Sequence, residues 1–179
     1  MSITLIVEDG TKPASANTYV SLADADTYHT NLGNTDWPDT TGDEEKKQAL
    51  ILATQAIDLL YGVRYMSTIY PDSKQVLLWP RLWFMDANAR IVKENTIPAA
   101  IKNAVCEVAL MHLQDLDIFP QQSTTSLVKL SHIKIGDIAN QTEYFKPAEG
   151  ESFTGFRKVD ITLRPVLKSA QTANWSLKA

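Results

Sequence analysis

The side chains able to do chemistry are few and scattered. The chain holds three histidines, His29, His112 and His132, and one cysteine, Cys106. The histidines fall on three different predicted elements, with no cysteine or carboxylate at the short spacing a zinc site needs. Cys106 lies in an apolar helical stretch with no base beside it in sequence, so it reads as a small core residue and not a nucleophile. The acidic pairs Asp24/Asp26 and Asp115/Asp117 stand two residues apart, a spacing that sends helical side chains to different faces. Seven glycines, none clustered, build no phosphate loop and no nucleophile elbow. The expectation is a protein without catalysis, cofactor or metal.

The aromatic and guanidinium side chains are more suggestive. Tyr61, Tyr65, Tyr70, Trp79, Trp83 and Phe84 crowd one stretch, with Arg64 and Arg81 interleaved. Stacking rings beside arginines are what a single-stranded nucleic-acid platform uses. The same residue types also dominate protein interfaces, and the stretch carries only three basic residues, Arg64, Lys74 and Arg81. A core or protein interface is the favoured reading. Within it, Leu77-Leu78-Trp79-Pro80-Arg81 cannot remain helical, because proline fixes φ and pushes the residue before it into an extended shape. Trp79 is expected at a corner, with Arg81 just beyond, either as a docking feature or as a ring that pins the corner into the core.

The elements that must position these residues follow from pattern. The 179 residues suit one domain, 44% hydrophobic and 21% charged, with a net charge of −4. No apolar run approaches the roughly 18 residues of a membrane span. The opening Met1–Gly10 lacks the basic flank of a signal peptide and reads as a strand over 2–7. Ser21-Leu-Ala-Asp24 has capping-box spacing and opens a helix that ends before Gly33. Thr41 and Glu44 frame the start of a long helix over 43–61, with Leu52, Ala53, Ala56, Ile57, Leu59 and Leu60 as its apolar stripe. A short helix is predicted over Asp72–Leu78, and a loop over 83–96 with a turn at Asp86-Ala-Asn-Ala. Thr96 is the predicted cap of a second long helix, in which Ile101, Val105, Val108, Ala109, Leu113 and Leu116 recur. Alternation from Leu127 to Phe145, broken at Gly136-Asp137, predicts a β-hairpin.

Charge divides the chain. From Lys146 onward there are six basic and three acidic residues, so this part is +3 and residues 1–145 carry −7. An acidic body (1–145) with a flexible, basic C-terminal arm (146–179) is expected, the arm either meeting an acidic partner or remaining solvated. Val159–Leu167 within it reads as one helical turn or an extended docking segment. The fold class expected is mainly α (α+β), a small helical bundle with a β-hairpin at about 127–145 and an extended C-terminal arm.

The order of landmarks resembles a tailed-bacteriophage family described both as head–tail adaptor (head-completion or connector) proteins and as DnaT-like single-stranded-DNA-binding proteins. The matching pieces are Asn17–Tyr28, the Ala49–Asp58 helix, Leu78-Trp-Pro-Arg81, Ile97-Pro98 with the helix after it, Lys134–Ile138 with Glu143-Tyr144, and Val159–Leu167. The loop at 31–43, the first dozen residues and the tail beyond 168 depart from the pattern. The resemblance implies a ring of roughly twelve copies beneath the portal protein, as closed heterologous contacts produce. Such a ring extends the DNA channel, lets DNA pass without specific binding, and offers a platform to tail or nozzle proteins in the virion neck after synthesis in the host cytoplasm. The second description implies instead a single-stranded-DNA-binding replication accessory. The acidic body favours the adaptor, since a channel wall rich in fixed basic contacts would hold phosphates. The contact residues expected are Trp79, Arg81, Trp83, Arg157, Lys158, Arg164 and Trp175.

Overall fold

A computed structural model describes residues 2–37, 42–71, 74–119, 128–134, 139–144 and 156–168. Four helices carry the fold, α1 (Leu22–Leu32), α2 (Asp43–Tyr61), α3 (Ala99–Leu113) and α4 (Arg157–Leu163). Two small antiparallel sheets accompany them, β1 (Thr68–Ile69) with β2 (Arg81–Leu82), and β3 (Val128–Lys134) with β4 (Ala139–Tyr144). The class is mainly α with a minor β component, as expected. The hairpin pairs Lys134 with Ala139 at its closed end and Val128 with Tyr144 at its open end, with an irregularity between Val128 and Leu130.

The centre of the core is the seam between α2 and α3. Along α2 the buried face is Lys46, Ala49, Leu50, Ala53, Thr54, Ala56, Ile57 and Tyr61, a run of steps of three and four. Its three alanines let the facing helix come close. On α3, Ile101, Ala104, Val105, Cys106, Val108 and Ala109 answer them, and burial extends almost all round because α1, α2 and α4 surround the helix. Leu59, expected in the stripe, points to solvent instead. α1 begins as its sequence dictates, with Ser21 Oγ accepting from the Asp24 N–H at 3.1 Å, and ends at Gly33 with φ of 67°.

Four local expectations are corrected. Residues 2–7 run extended but form only a single parallel bridge, Val7 to Thr18, and no strand. The stretch 74–78 makes turns and no helix; residues 72 and 73 lie outside the described residues. There the Gln75 amide donates to the carbonyls of Leu77 and Pro80 at 2.8 and 2.9 Å, offering the backbone a partner that competes with a helical ladder. α2 is preceded by Gly42 with no side-chain cap, Thr41 being outside the described residues, and α3 by Pro98, while Thr96 caps nothing. α3 stops at Leu113, so Leu116 lies beyond it, exposed.

The largest correction concerns the basic arm. Residues 156–168 are part of the core. α4 packs along α3, and Phe156, Val159, Leu163, Val166 and Leu167 are buried. Tyr61 donates its hydroxyl to Asp160 at 2.7 Å. Beyond α4, the Met66 N–H donates to the Val166 carbonyl at 2.9 Å and the Lys168 N–H to the Arg64 carbonyl at 2.8 Å, stitching the segment to the end of α2. Seven residues suffice because α3 already offers an apolar groove, so the segment needs little helical propensity of its own. The stretches 146–155 and 169–179 lie outside the described residues. Leu163→Ala should therefore cost about 2–5 kcal/mol in urea unfolding; a loss below about 1 kcal/mol would mean that α4 contributes no core.

Candidate interaction surface

The corner at Trp79 is built around a carboxylate. Asp58, near the end of α2, accepts a hydrogen bond from the Tyr19 hydroxyl at 2.7 Å and from the Leu78 N–H at 3.0 Å. The Tyr65 hydroxyl approaches its other oxygen at 3.5 Å. The Tyr19 oxygen in turn accepts from the Trp79 N–H at 3.1 Å. One helix, the approach to α1 and the residues before Pro80 thus meet at a single half-buried group. Burial pushes the Asp58 carboxyl up to about 6, against the hydrogen bonds and the nearby Arg81 charge, which favour its ionised form.

That knot turns the indole of Trp79 inward. It is fully buried, edge-on to Tyr65 at 5.5 Å between ring centres and to Phe84 at 4.9 Å. The expectation of a docking tryptophan at position 79 is corrected: the side chain is core. Arg81 is also spent internally. It donates to the Ser67 carbonyl at 2.8 Å, and its guanidinium carbon lies 5.7 Å from the Tyr65 ring centre and 5.9 Å from that of Trp79. Tyr61, Tyr65 and Phe84 are buried, so most of the aromatic cluster that could have stacked bases is not available to do so.

Trp83 behaves in the opposite way. Its φ of 46° is left-handed, an unusual conformation for a bulky residue, and its side chain is 84% exposed. The chain then forms a tongue. The Val92 N–H donates to the Phe84 carbonyl and the Asp86 N–H to the Arg90 carbonyl, both at 2.9 Å, and Met85 pairs with Ile91. Phe84 faces the core while Met85 and its partner Ile91 (83% exposed) face solvent, the alternation of a two-stranded ribbon, and Trp83 stands exposed just before it. Asp86 closes the tip. Its Oδ1 accepts from the N–H groups of Asn88 and Arg90 at 2.9 Å each, and Arg90 Nε donates to its other oxygen at 3.0 Å. The Arg90 N–H, first among several donors, holds this carboxyl below the usual range. The Ala87 N–H donates to the Pro165 carbonyl at 3.1 Å and pins the tongue to the C-terminal segment.

Of the remaining expected contact residues, only Arg164 lies in the segment to which the tongue is pinned. Arg157 and Arg164 are exposed, and Lys158 pairs with Glu107 of α3 at 2.7 Å, which fastens α4 to α3. Trp175 lies outside the described residues. Met85 and Ile91 escaped sequence reasoning. Their signal was two apolar residues flanking the Asp86 turn, visible only once that turn is known to fold back on itself. Elsewhere, burial pushes the Cys106 thiol up to about 12, which suits a core residue. Burial also lowers the pKa of His29, whose ring stacks on Trp37 at 4.3 Å. Among the described residues no group of three or more histidine, cysteine or acidic side chains could hold a metal ion. Also among them, no helix is long and apolar enough to cross a membrane.

Two outcomes follow. Trp79→Ala should lose about 3–5 kcal/mol in urea unfolding, and Trp83→Ala no more than about 0.5 kcal/mol; equal losses would mean that the tongue is clamped to the core. Asp58 binds its proton more tightly in the folded protein (about 6) than in the unfolded chain (3.8), so it makes stability fall as pH rises between those values. The contribution is about 3 kcal/mol and is constant above the folded value. Asp58→Asn keeps an acceptor for Tyr19 and Leu78 and should flatten that part of the pH profile of unfolding; an unchanged slope would place the titration elsewhere.

No curated protein and no solved structure matches the chain significantly. One family profile does, over residues 3–178, nearly the whole length, and its description is "Putative DnaT-like ssDNA binding protein". With that extent of match, the chain belongs to this DnaT-like family.

Proposed function

We propose that this protein is a structural assembly component of a tailed bacteriophage, a head-to-tail adaptor. In this reading several copies ring the portal protein, extend the DNA channel and present a platform to a tail or nozzle protein. The observation that carries the reading is the tongue. Met85 and Ile91 stand exposed on a pinned ribbon with Trp83 exposed just before it, whereas Tyr61, Tyr65, Trp79 and Phe84 are buried. Exposed tryptophan, methionine and isoleucine on a fixed support are interface chemistry, and such a patch is costly to leave in water without a partner. The acidic body adds support, because residues 1–145 at −7 repel phosphates and suit a wall along which DNA must slide. The adaptor acts by binding, with no bond made or broken.

The family description favours a second reading, a single-stranded-DNA-binding replication accessory. In it, Trp83 would stack a base with Arg81 and Lys93 as phosphate partners, and affinity would fall steeply with salt. Against it stand the burial of Trp79, Tyr65 and Phe84 and the internal bonds of Arg81. One ring is a poor platform where several successive bases must be stacked.

Electron microscopy of the cognate portal ring mixed with this protein separates the two. The adaptor reading expects an added ring of density on the portal, and about a tenfold loss of occupancy for the Trp83→Ser/Ile91→Ser double variant at unchanged melting temperature. Bare portals at saturating protein, together with oligothymidine binding that survives about 0.15 M salt, would overturn it.

A further inference from the structure

The two ends of the helical bundle carry opposite charge, and each carries exposed apolar side chains. α2 and α3 run along each other, and bonds mark which segments share an end. At one end the C-terminal segment ties residues 64–66 to the tongue, through Met66 N–H to Val166 and Ala87 N–H to Pro165. The segments 64–66, 81–94 and 164–168 hold Arg64, Arg81, Arg90, Lys93, Arg164 and Lys168 against Asp86 and Glu94, six basic to two acidic. At the other end Gln114 donates to Asp36 at 2.8 Å, Trp37 to Asp26 at 2.7 Å, and Lys46 pairs with Asp26 at 3.2 Å. The segments 34–37, 43–47 and 114–119 there hold Asp36, Asp43, Glu44, Glu45, Asp115 and Asp117 against Lys46 and Lys47, six acidic to two basic. Leu116 is exposed between Asp115 and Asp117 and Phe119 just after them, as Trp83, Met85 and Ile91 are exposed beside the basic residues.

The tongue precedes α3, which begins at Ala99, and the acidic knot follows the helix's last residue. The 15 residues of α3, about 22 Å long at 1.5 Å per residue, lie between them in the chain. The knot is as firmly built as the tongue. Asp115 adopts φ of 57°, the Leu116 N–H donates back to Met111 at 3.0 Å, and Asp117 accepts from the Phe119 N–H at 2.9 Å. Both patches are thus held in place before any partner arrives, which spares ordering entropy on association.

We propose that the basic apolar tongue of one copy docks on the acidic apolar knot at 114–119 of the next, a head-to-tail contact between copies of this chain. Complementary charge around matched apolar centres selects this pairing over tongue against tongue or knot against knot, each of which brings like charges together. Two different patches at opposite ends make the contact heterologous, and such contacts propagate until a ring closes. The proposal deepens the adaptor reading, on which its role in a ring rests. Its test needs neither portal nor DNA, so the two can fail separately.

The test is cysteine cross-linking of full-length variants at millimolar concentration under a mild oxidant. Met85→Cys and Leu116→Cys both replace exposed side chains, and the native Cys106 is buried and takes no part. A mixture of the two variants should give a cross-linked dimer far in excess of either variant alone, since a disulfide needs Cα atoms within about 7 Å. Lys93→Glu on the Met85→Cys chain should lower the yield about tenfold, and Asp117→Lys on the Leu116→Cys chain should restore it. Melting curves establish that each variant is folded. Three results would overturn the proposal, namely no dimer from the mixture, a Met85→Cys chain that dimerises as well alone, or a yield indifferent to both charge changes.

Discussion

A single half-buried carboxylate at the end of α2 fixes the corner from which the exposed tongue departs. Asp58 is half-buried near the end of α2, and burial disfavours its charge. What keeps it there is that Tyr19, Tyr65 and the Leu78 amide all turn toward it. Hydrogen bonds to a charged group are worth about 1.5–3 kcal/mol each, and losing one partner leaves the others stranded. The group therefore behaves as a clasp. By capturing the Leu78 amide directly and the Trp79 amide through Tyr19, it draws the chain before Pro80 against α2 and sends the Trp79 indole into the core. Phe84 packs edge-on against Trp79 in the core, and its neighbours Trp83 and Met85 are left outside. The exposed tongue departs from this clasped corner.

Much of this was legible in the sequence, and the rest was hidden for physical reasons. The stripe of Leu52, Ala53, Ala56, Ile57, Leu59 and Leu60 gave away α2, although only Ala53, Ala56 and Ile57 of it are fully buried, and the spacing of Ile101, Val105, Val108 and Ala109 gave away α3, because a helix face buried against another helix repeats every three to four residues. Ser21 with Asp24 marked the start of α1, since a cap is a local device. The alternation of β3 and β4 was equally local. Which way Trp79 turns stayed open in the sequence, because Asp58 and Tyr19, 21 and 60 residues away, impose its burial, and nothing near Trp79 announces them. The integration of 156–168 failed to show for a related reason. Basic residues on the outside of α4 mask the inward set Phe156, Val159, Leu163 and Val166, whose groove is supplied by α3 and by the chain at 64–66. Of the candidate surface, Trp83 could be named from the aromatic crowding, whereas Met85 and Ile91 required the fold-back at Asp86.

The same geometry bears on the choice between assembly and DNA binding. An aromatic cluster with interleaved arginines supports either role in one dimension. In three dimensions the clasp spends most of the rings on the core and directs Arg81 to a backbone carbonyl, leaving an apolar ribbon at a basic end and an apolar knot at an acidic one. A molecule with unlike ends is suited to repeat along a direction, and that is the property an assembly protein exploits. Membership of a family described by single-stranded-DNA binding sets the rival, and the rival makes a different demand on the same residues.

Hydrogen–deuterium exchange of the full-length protein, alone, with the portal ring and with oligothymidine at about 0.15 M salt, reads that demand directly. The clasp-and-tongue account expects new protection at residues 81–93 with the portal and none there with oligothymidine. Protection of that stretch by oligothymidine, with no change on adding portal, would contradict it.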